Sequence, residues 1–180
     1  CVRCYPWVVT VFEWSIGDQE QSQAFIARTL SLLKDGGECA FVISTGTLLK
    51  HHENSQRFRQ RWLENSTVKT VTNFAHVRHI FFTADSPFAF VHFKSKPADL
   101  SHRIFYWSAK KTEAADKLQA IILSRNDLKQ VNQNELLQSP MLWKTYWWGN
   151  QRDAALIGAL KLSTTLQQLA SKLDFAHQAA

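Results

Sequence analysis

At 180 residues and 45% hydrophobic content, the chain is long enough for one domain with a real core and too apolar for a disordered segment. Its formal charge of +6 can draw in a polyanion, yet basicity alone does not establish nucleic-acid binding. Cysteines at 1, 4 and 39 are an odd set without a disulfide framework, no charged-then-apolar leader opens the chain, and no apolar run nears the ~18 residues that span a bilayer.

A reducing, cytoplasmic setting is the expectation that follows. The chain opens on Cys1 rather than Met, which predicts a part upstream.

From Gln23 to Lys34, the helical spacing of Phe25, Ile26, Leu30 and Leu33 predicts a core-facing helix with Gln23, Arg28 and Ser31 on its surface. Asp35, Gly36 and Gly37 stop it, and Cys39 to Ile43 reads as a short buried strand of a parallel α/β unit. The glycine pair is a structural turn rather than a phosphate loop. Phosphate loops follow a strand and open a helix, and here the order is reversed.

Ser44 to Lys50 then lies where open α/β sheets place ligands, at the carboxyl end of a strand. Asn54 or Ser55 can cap a helix to Glu64 that buries Phe58 and Trp62. Arg57, Arg59 and Arg61 ring its other faces, either solvated or as a polyanion surface. Val68 to Phe74 and Phe88 to Phe93 are strands, joined by a loop that carries Arg78, His79, Ile80, Phe81 and Phe82.

Another strand is expected at Arg103 to Trp107. A helix follows from Thr112 to Ser124 on Ala114, Leu118, Ile121 and Ile122, and a short element from Asn134 to Leu137. In the tail, Trp143, Tyr146, Trp147 and Trp148 crowd around Lys144 before a helix using Leu156, Ile157 and Leu160; another runs from Thr164 to Leu173 after a Ser163 cap. A lone Cys1-x-x-Cys4 pair and adjacent His51 and His52 are too little for a metal site.

The run from Phe25 to Ile43 resembles the helix, Gly-Gly turn and fifth strand of N6-adenine-specific DNA methyltransferases of restriction-modification systems. The resemblance continues through Asn54 to Arg59, Val68 to Phe74 and His76 to Phe81, and Ser86 to Phe93 is similar to the seventh strand, which returns beside the sixth. Trp143, Lys144, Trp148 to Asn150 and Asp153 resemble the lead into the target-recognition region of type IIG enzymes.

The implied fold is α/β: a partial Rossmann-like methyltransferase sheet, strands 5, 6 and 7 with flanking helices, over residues 1–110. A mainly helical, Trp-containing appendage follows over 111–180. The implied reaction transfers the S-adenosylmethionine methyl group to the amine of an adenine flipped from duplex DNA, and a flipped base needs an aromatic face in place of its stack. Phe81 falls at that position, with Phe82 the alternative; the bland reading has both plug the sheet edge. Arg57, Arg59, Arg61, Arg78 and Lys144 are the candidate nucleic-acid contacts.

The family's cofactor loop and catalytic tetrapeptide do not match here; Cys4, Tyr5, Pro6 and Trp7 come nearest, but Cys4 lacks the carbonyl that would accept the amine hydrogen bonds. No catalytic, cofactor-binding or metal residue is therefore assigned. The full-length enzyme would use S-adenosylmethionine, and this portion is expected to bind none and to lack activity alone. A non-catalytic nucleic-acid-binding α/β module and a folded remnant without activity are the competing readings. Expected partners are duplex DNA, a chain supplying the cofactor half, and a second copy covering the exposed edge of the fifth strand.

Overall fold

The computed structural model describes residues 9–10, 13–81, 84–160, 164 and 168–171. The candidate tetrapeptide at 4–7, the Cys1 and Cys4 pair, Phe82, the Phe81 side chain and most of the expected 164–173 helix lie outside the described residues.

Helix α1, Gln21–Leu32, turns Gln23, Ala24, Ile26 and Ala27 inward. Phe25, expected in the core, is 54% exposed, and Gln23, expected on the surface, is fully buried. The small Ala24 and Ala27 let the helix sit close to its neighbours, and Gln23 is satisfied there. Its Oε1 accepts the Gly17 N–H at 2.8 Å, and its Nε2 donates to Ser55 Oγ at 3.2 Å. After α1, Gly36 adopts φ +72° and its N–H donates to Ser95 O at 2.8 Å, so the Gly pair is a turn stitched to the sheet.

Strands β1 (Glu38–Ser44), β2 (Thr67–Asn73), β3 (Phe88–Lys94), β4 (Arg103–Ser108) and β5 (Leu128–Asn132) form one sheet in the order β1-β3-β2-β4-β5. β3 is antiparallel to both β1 and β2, β2 is parallel to β4, and β5 closes antiparallel on β4. Two expectations for β1 need correction. Its neighbour runs antiparallel, and the strand is not buried along its length, since Val42 is 64% exposed; it lies at an edge of the described sheet.

Between β1 and β2 lie the short α2, Gly46–Leu49, and α3, Glu53–Asn65. The cap position of α3 is His52, two residues ahead of Asn54 and three ahead of Ser55, and no side chain caps it; Ser55 is instead buried against Gln23. As expected, Phe58 and Trp62 face the core and stack at 6.3 Å, and Trp62 meets Phe93 edge-on at 5.6 Å.

Val68 and Val71 both point to that core although three residues apart. A bulge between Val68 and Thr70 makes this possible, since strict alternation would send one of them to the other face. On the opposite face Ala40, Val42, Phe90, His92, Thr70 and Phe105 share register.

The short α4, Arg78–Phe81, sits in the loop between β2 and β3. Beyond β4 the expected 112–124 helix shortens to α5, Glu113–Leu118, capped by the Thr112 side chain and ended by Gln119 at φ 47°. β5, whose polar LKQVN sequence gave no strand signal, then pairs along β4. Helices α6 (Gln133–Gln138), α7 (Leu142–Trp148) and α8 (Gln151–Leu160) follow, and residues 168–171 are helical as well. Trp143 and Tyr146 of α7 enter the same core, with Trp143 6.4 Å from Tyr106 of β4.

Candidate functional site

β2 and β4 run side by side and end together at Asn73 and Ser108, so their carboxyl ends form one rim. Asn73 is fully buried and organises it: its Oδ1 accepts the Ala75 N–H at 2.9 Å and its carbonyl accepts the Ala109 N–H at 3.0 Å. The Phe74 N–H donates to Phe88 O at 3.2 Å, and the two rings pack at 5.6 Å. Arg78 Nη1 donates to Ala75 O at 2.7 Å. The loop that presents α4 is thus pinned to the sheet at several points.

Beside this loop lies an open hollow of about 270 Å³ lined by His76, Ser108, Lys110, Lys111, Trp147 and Trp148. Trp148 is 72% exposed, and His76 meets it edge-on at 5.1 Å. Lys111 is 3.2 Å from Asp116. Behind the rim, Lys129 Nζ donates to Tyr146 O at 2.6 Å, and burial, reinforced by the Lys110 charge, draws its pKa down. Exposed aromatic faces beside lysines suit bases and phosphates of a nucleic acid.

The five cationic residues expected to bind nucleic acid do not converge. Arg78 is on the rim. Arg57 is exposed on α3 and paired with Glu53 at 2.5 Å, and Arg61 lies 4.7 Å over Trp14 while donating to Glu13 O at 2.6 Å. Arg59 departs from the solvated reading altogether, being 3% exposed. Lys144 is exposed on α7, and its charge, after burial, helps depress the His51 pKa. Phe81 ends α4 in the loop between β2 and β3.

Sequence reasoning missed His76, Ser108, Lys110 and Lys111 as site residues; the Lys pair directly after a strand was the available signal. Among the described residues no group of three or more His, Cys, Asp or Glu could hold a metal ion. Burial pushes the Cys39 thiol up to about 11, which leaves it a poor nucleophile at neutral pH. Beyond β1, Lys50 lies 3.2 Å from Asp18 and 3.8 Å from Glu20. No described helix is long and apolar enough to cross a membrane.

A reversed strand inserted between two strands of the same sense gives the 5-7-6 order of the carboxyl-side half of a Rossmann-like methyltransferase sheet, extended here by β4 and β5. The family profile for N-6 DNA Methylase matches residues 11–138, and the chain belongs to that family. A comparison with curated proteins gives no match.

Among solved structures, similarity extends to a type I restriction-modification methyltransferase subunit from Streptococcus thermophilus, at 20% identity over 64% of this chain and 27% of that one, with a TM-score of 0.43. The type IIG restriction endonuclease BpuSI gives 13% identity over 71% of this chain and 15% of that one, with a TM-score of 0.44. A type I restriction-modification complex gives 23% identity over 52% and 19%, with a TM-score of 0.43. The chain therefore spans between 15% and 27% of the length of these proteins.

Proposed function

We propose that this chain is the carboxyl-side portion of an S-adenosylmethionine-dependent DNA methyltransferase acting on adenine N6, and that its rim holds DNA. The family match over residues 11–138 carries the reading, and the rim gives it a location. Bound S-adenosylmethionine would supply the electrophilic methyl group. The family's cofactor loop and catalytic tetrapeptide find no match in this sequence, so no residue here is assigned to that cofactor, and the chain alone is expected to bind none and to transfer no methyl group.

What the rim contributes is recognition. Phe81 at the end of α4 is the proposed stacking surface for the flipped base, and Phe82 remains the alternative. Arg78, Lys110 and Lys111 neutralise phosphates, and Trp148 offers a second stacking face. Arg57, Arg61 and Lys144 are proposed as outlying contacts, whereas Arg59 is too buried to reach a duplex. Further partners are a chain carrying the cofactor half and a second copy along the β1 edge, in the cytoplasm. A non-catalytic nucleic-acid module is the second reading, favoured by a hollow whose lysines and tryptophans need no cofactor.

Fluorescence anisotropy with a short duplex carrying 2-aminopurine at the target position tests the rim. Binding at low salt is expected, and the joint Lys110→Ala, Lys111→Ala variant should flatten the log–log salt slope by about 2. The 2-aminopurine signal should rise on binding and be lost in Phe81→Ala. No binding at roughly 50 mM salt would overturn the reading. Calorimetry with S-adenosylmethionine separates the two versions: saturable binding would assign the chain a cofactor pocket of its own.

A further inference from the structure

Among the cations of the rim, Arg78 is the one held in place. Its Nη1 donates to Ala75 O at 2.7 Å, its Nε is buried, and it pairs with no carboxylate among the described residues. Lys110 and Lys111 are exposed, and Lys111 has Asp116 at 3.2 Å.

The carbonyl that grips Arg78 is itself fixed. Ala75 is buried, and its N–H donates to Asn73 Oδ1 at 2.9 Å, the bond of an Asx turn, in which an asparagine side chain reaches the backbone two residues on. Both polar backbone groups of Ala75 are therefore committed, one to Asn73 and one to Arg78. Asn73 is fully buried at the end of β2, in register with Ala89 of β3 and Ser108 of β4, and its own carbonyl accepts the Ala109 N–H at 3.0 Å. The sheet end thus sets the place of a guanidinium two hydrogen bonds away. A long side chain ordered beforehand loses less rotamer freedom when it meets its ligand.

We propose that Asn73 is a positioning residue for the phosphate contact of Arg78: by holding Ala75 it pre-orders the guanidinium, so that duplex binding gains from Arg78 only while the Asn73 side chain is in place. This role presupposes the DNA-holding rim. Asn73 touches no DNA itself, since its side chain is closed off beneath the loop.

Anisotropy with the full chain and a short duplex at roughly 50 mM salt tests the coupling. Arg78→Ala and Asn73→Ala should each weaken binding about tenfold, and the double variant by the same about tenfold rather than about a hundredfold, because both remove one contact. Asn73→Ser, whose hydroxyl makes the same turn more weakly, should recover part of the loss. If Asn73→Ala does not fold, Arg78→Lys serves. It keeps the charge, loses the planar fork that joins Ala75 O to a phosphate, and should weaken binding about as much as Arg78→Ala. Additive losses would overturn the proposal, as would an Asn73→Ser no better than Asn73→Ala, or an Arg78→Lys that binds as tightly as wild type. A wild-type chain that binds no duplex overturns the DNA surface and the Asn73 role with it, whereas wild-type binding with additive losses overturns the Asn73 role alone.

Discussion

Gln133 and Val68, 65 residues apart, are joined by a hydrogen bond in which the Val68 N–H donates to Gln133 Oε1 at 2.9 Å. Gln133 Nε2 donates in turn to Leu63 O at 2.8 Å and Ser66 O at 2.6 Å. One buried amide thus satisfies the backbone where α3 ends and β2 begins, next to the bulge that turns both Val68 and Val71 into the core.

Gln133→Leu should therefore be strongly destabilising. It keeps the volume and orphans a buried N–H and two carbonyls, each worth about 1 to 3 kcal/mol when left unpaired. Urea unfolding should show a loss of about 3 kcal/mol, against less than about 0.5 kcal/mol for the exposed Gln130→Ala. Equal midpoints for the two variants would contradict the assigned role.

Gly17 is required by close approach. A Cβ there would lie 1.9 Å from Ser55 Oγ and 2.8 Å from the Ser55 backbone nitrogen, so the clash is not with a flexible tip alone. Gly17→Ala should separate α1 from α3 and lower stability by about 1 to 3 kcal/mol or more. A thermal midpoint unchanged from wild type would show that the two segments adjust freely.

The buried Tyr106 makes stability pH-dependent in the alkaline range. Burial pushes its phenol pKa above the usual value of 10.0, with a smaller opposing contribution from Asn73. The folded state then holds a proton that the unfolded chain releases above about pH 10, so the stabilisation is intact below that pH and declines as pH rises beyond it. Tyr106→Phe removes the ionisable group and should flatten that decline in thermal midpoints between about pH 9 and 11.5. Parallel slopes for the two proteins would exclude Tyr106 as the source.

Val42 reports on the β1 edge. Cys39 to Ile43 carries no proline or charge that would discourage another strand, and Val42 is largely exposed on it. If a second copy pairs there, sedimentation velocity should show a dimer that Val42→Lys shifts to monomer. A wild-type monomer at high concentration would rule out self-pairing.

Legibility followed periodicity. Phe58 and Trp62 were readable because an i, i+4 aromatic pair on an otherwise polar helix has one sensible face. Polar residues that fold inward gave no such sign. Gln23, Arg59 and Gln133 look like ordinary surface residues, and their burial depends on Ser55, Thr47 and Val68, partners from 12 to 65 positions away. β5 escaped notice for a related reason: its residues alternate weakly, and the pairing with β4 makes it a strand.

By itself the sequence determined the α/β class, the helix, glycine turn and strand order from α1 to β3, and the family resemblance. Each rests on local propensity and apolar spacing, which a linear chain carries in full. Only the tertiary structure decided the insertion of β3 between β1 and β2, the gathering of His76, Lys110 and Trp148 at one rim, and the burial of Arg59 against the Thr47 carbonyl. These are properties of contacts between distant segments. Whether a polar group faces water or a partner is decided by what the rest of the chain brings against it.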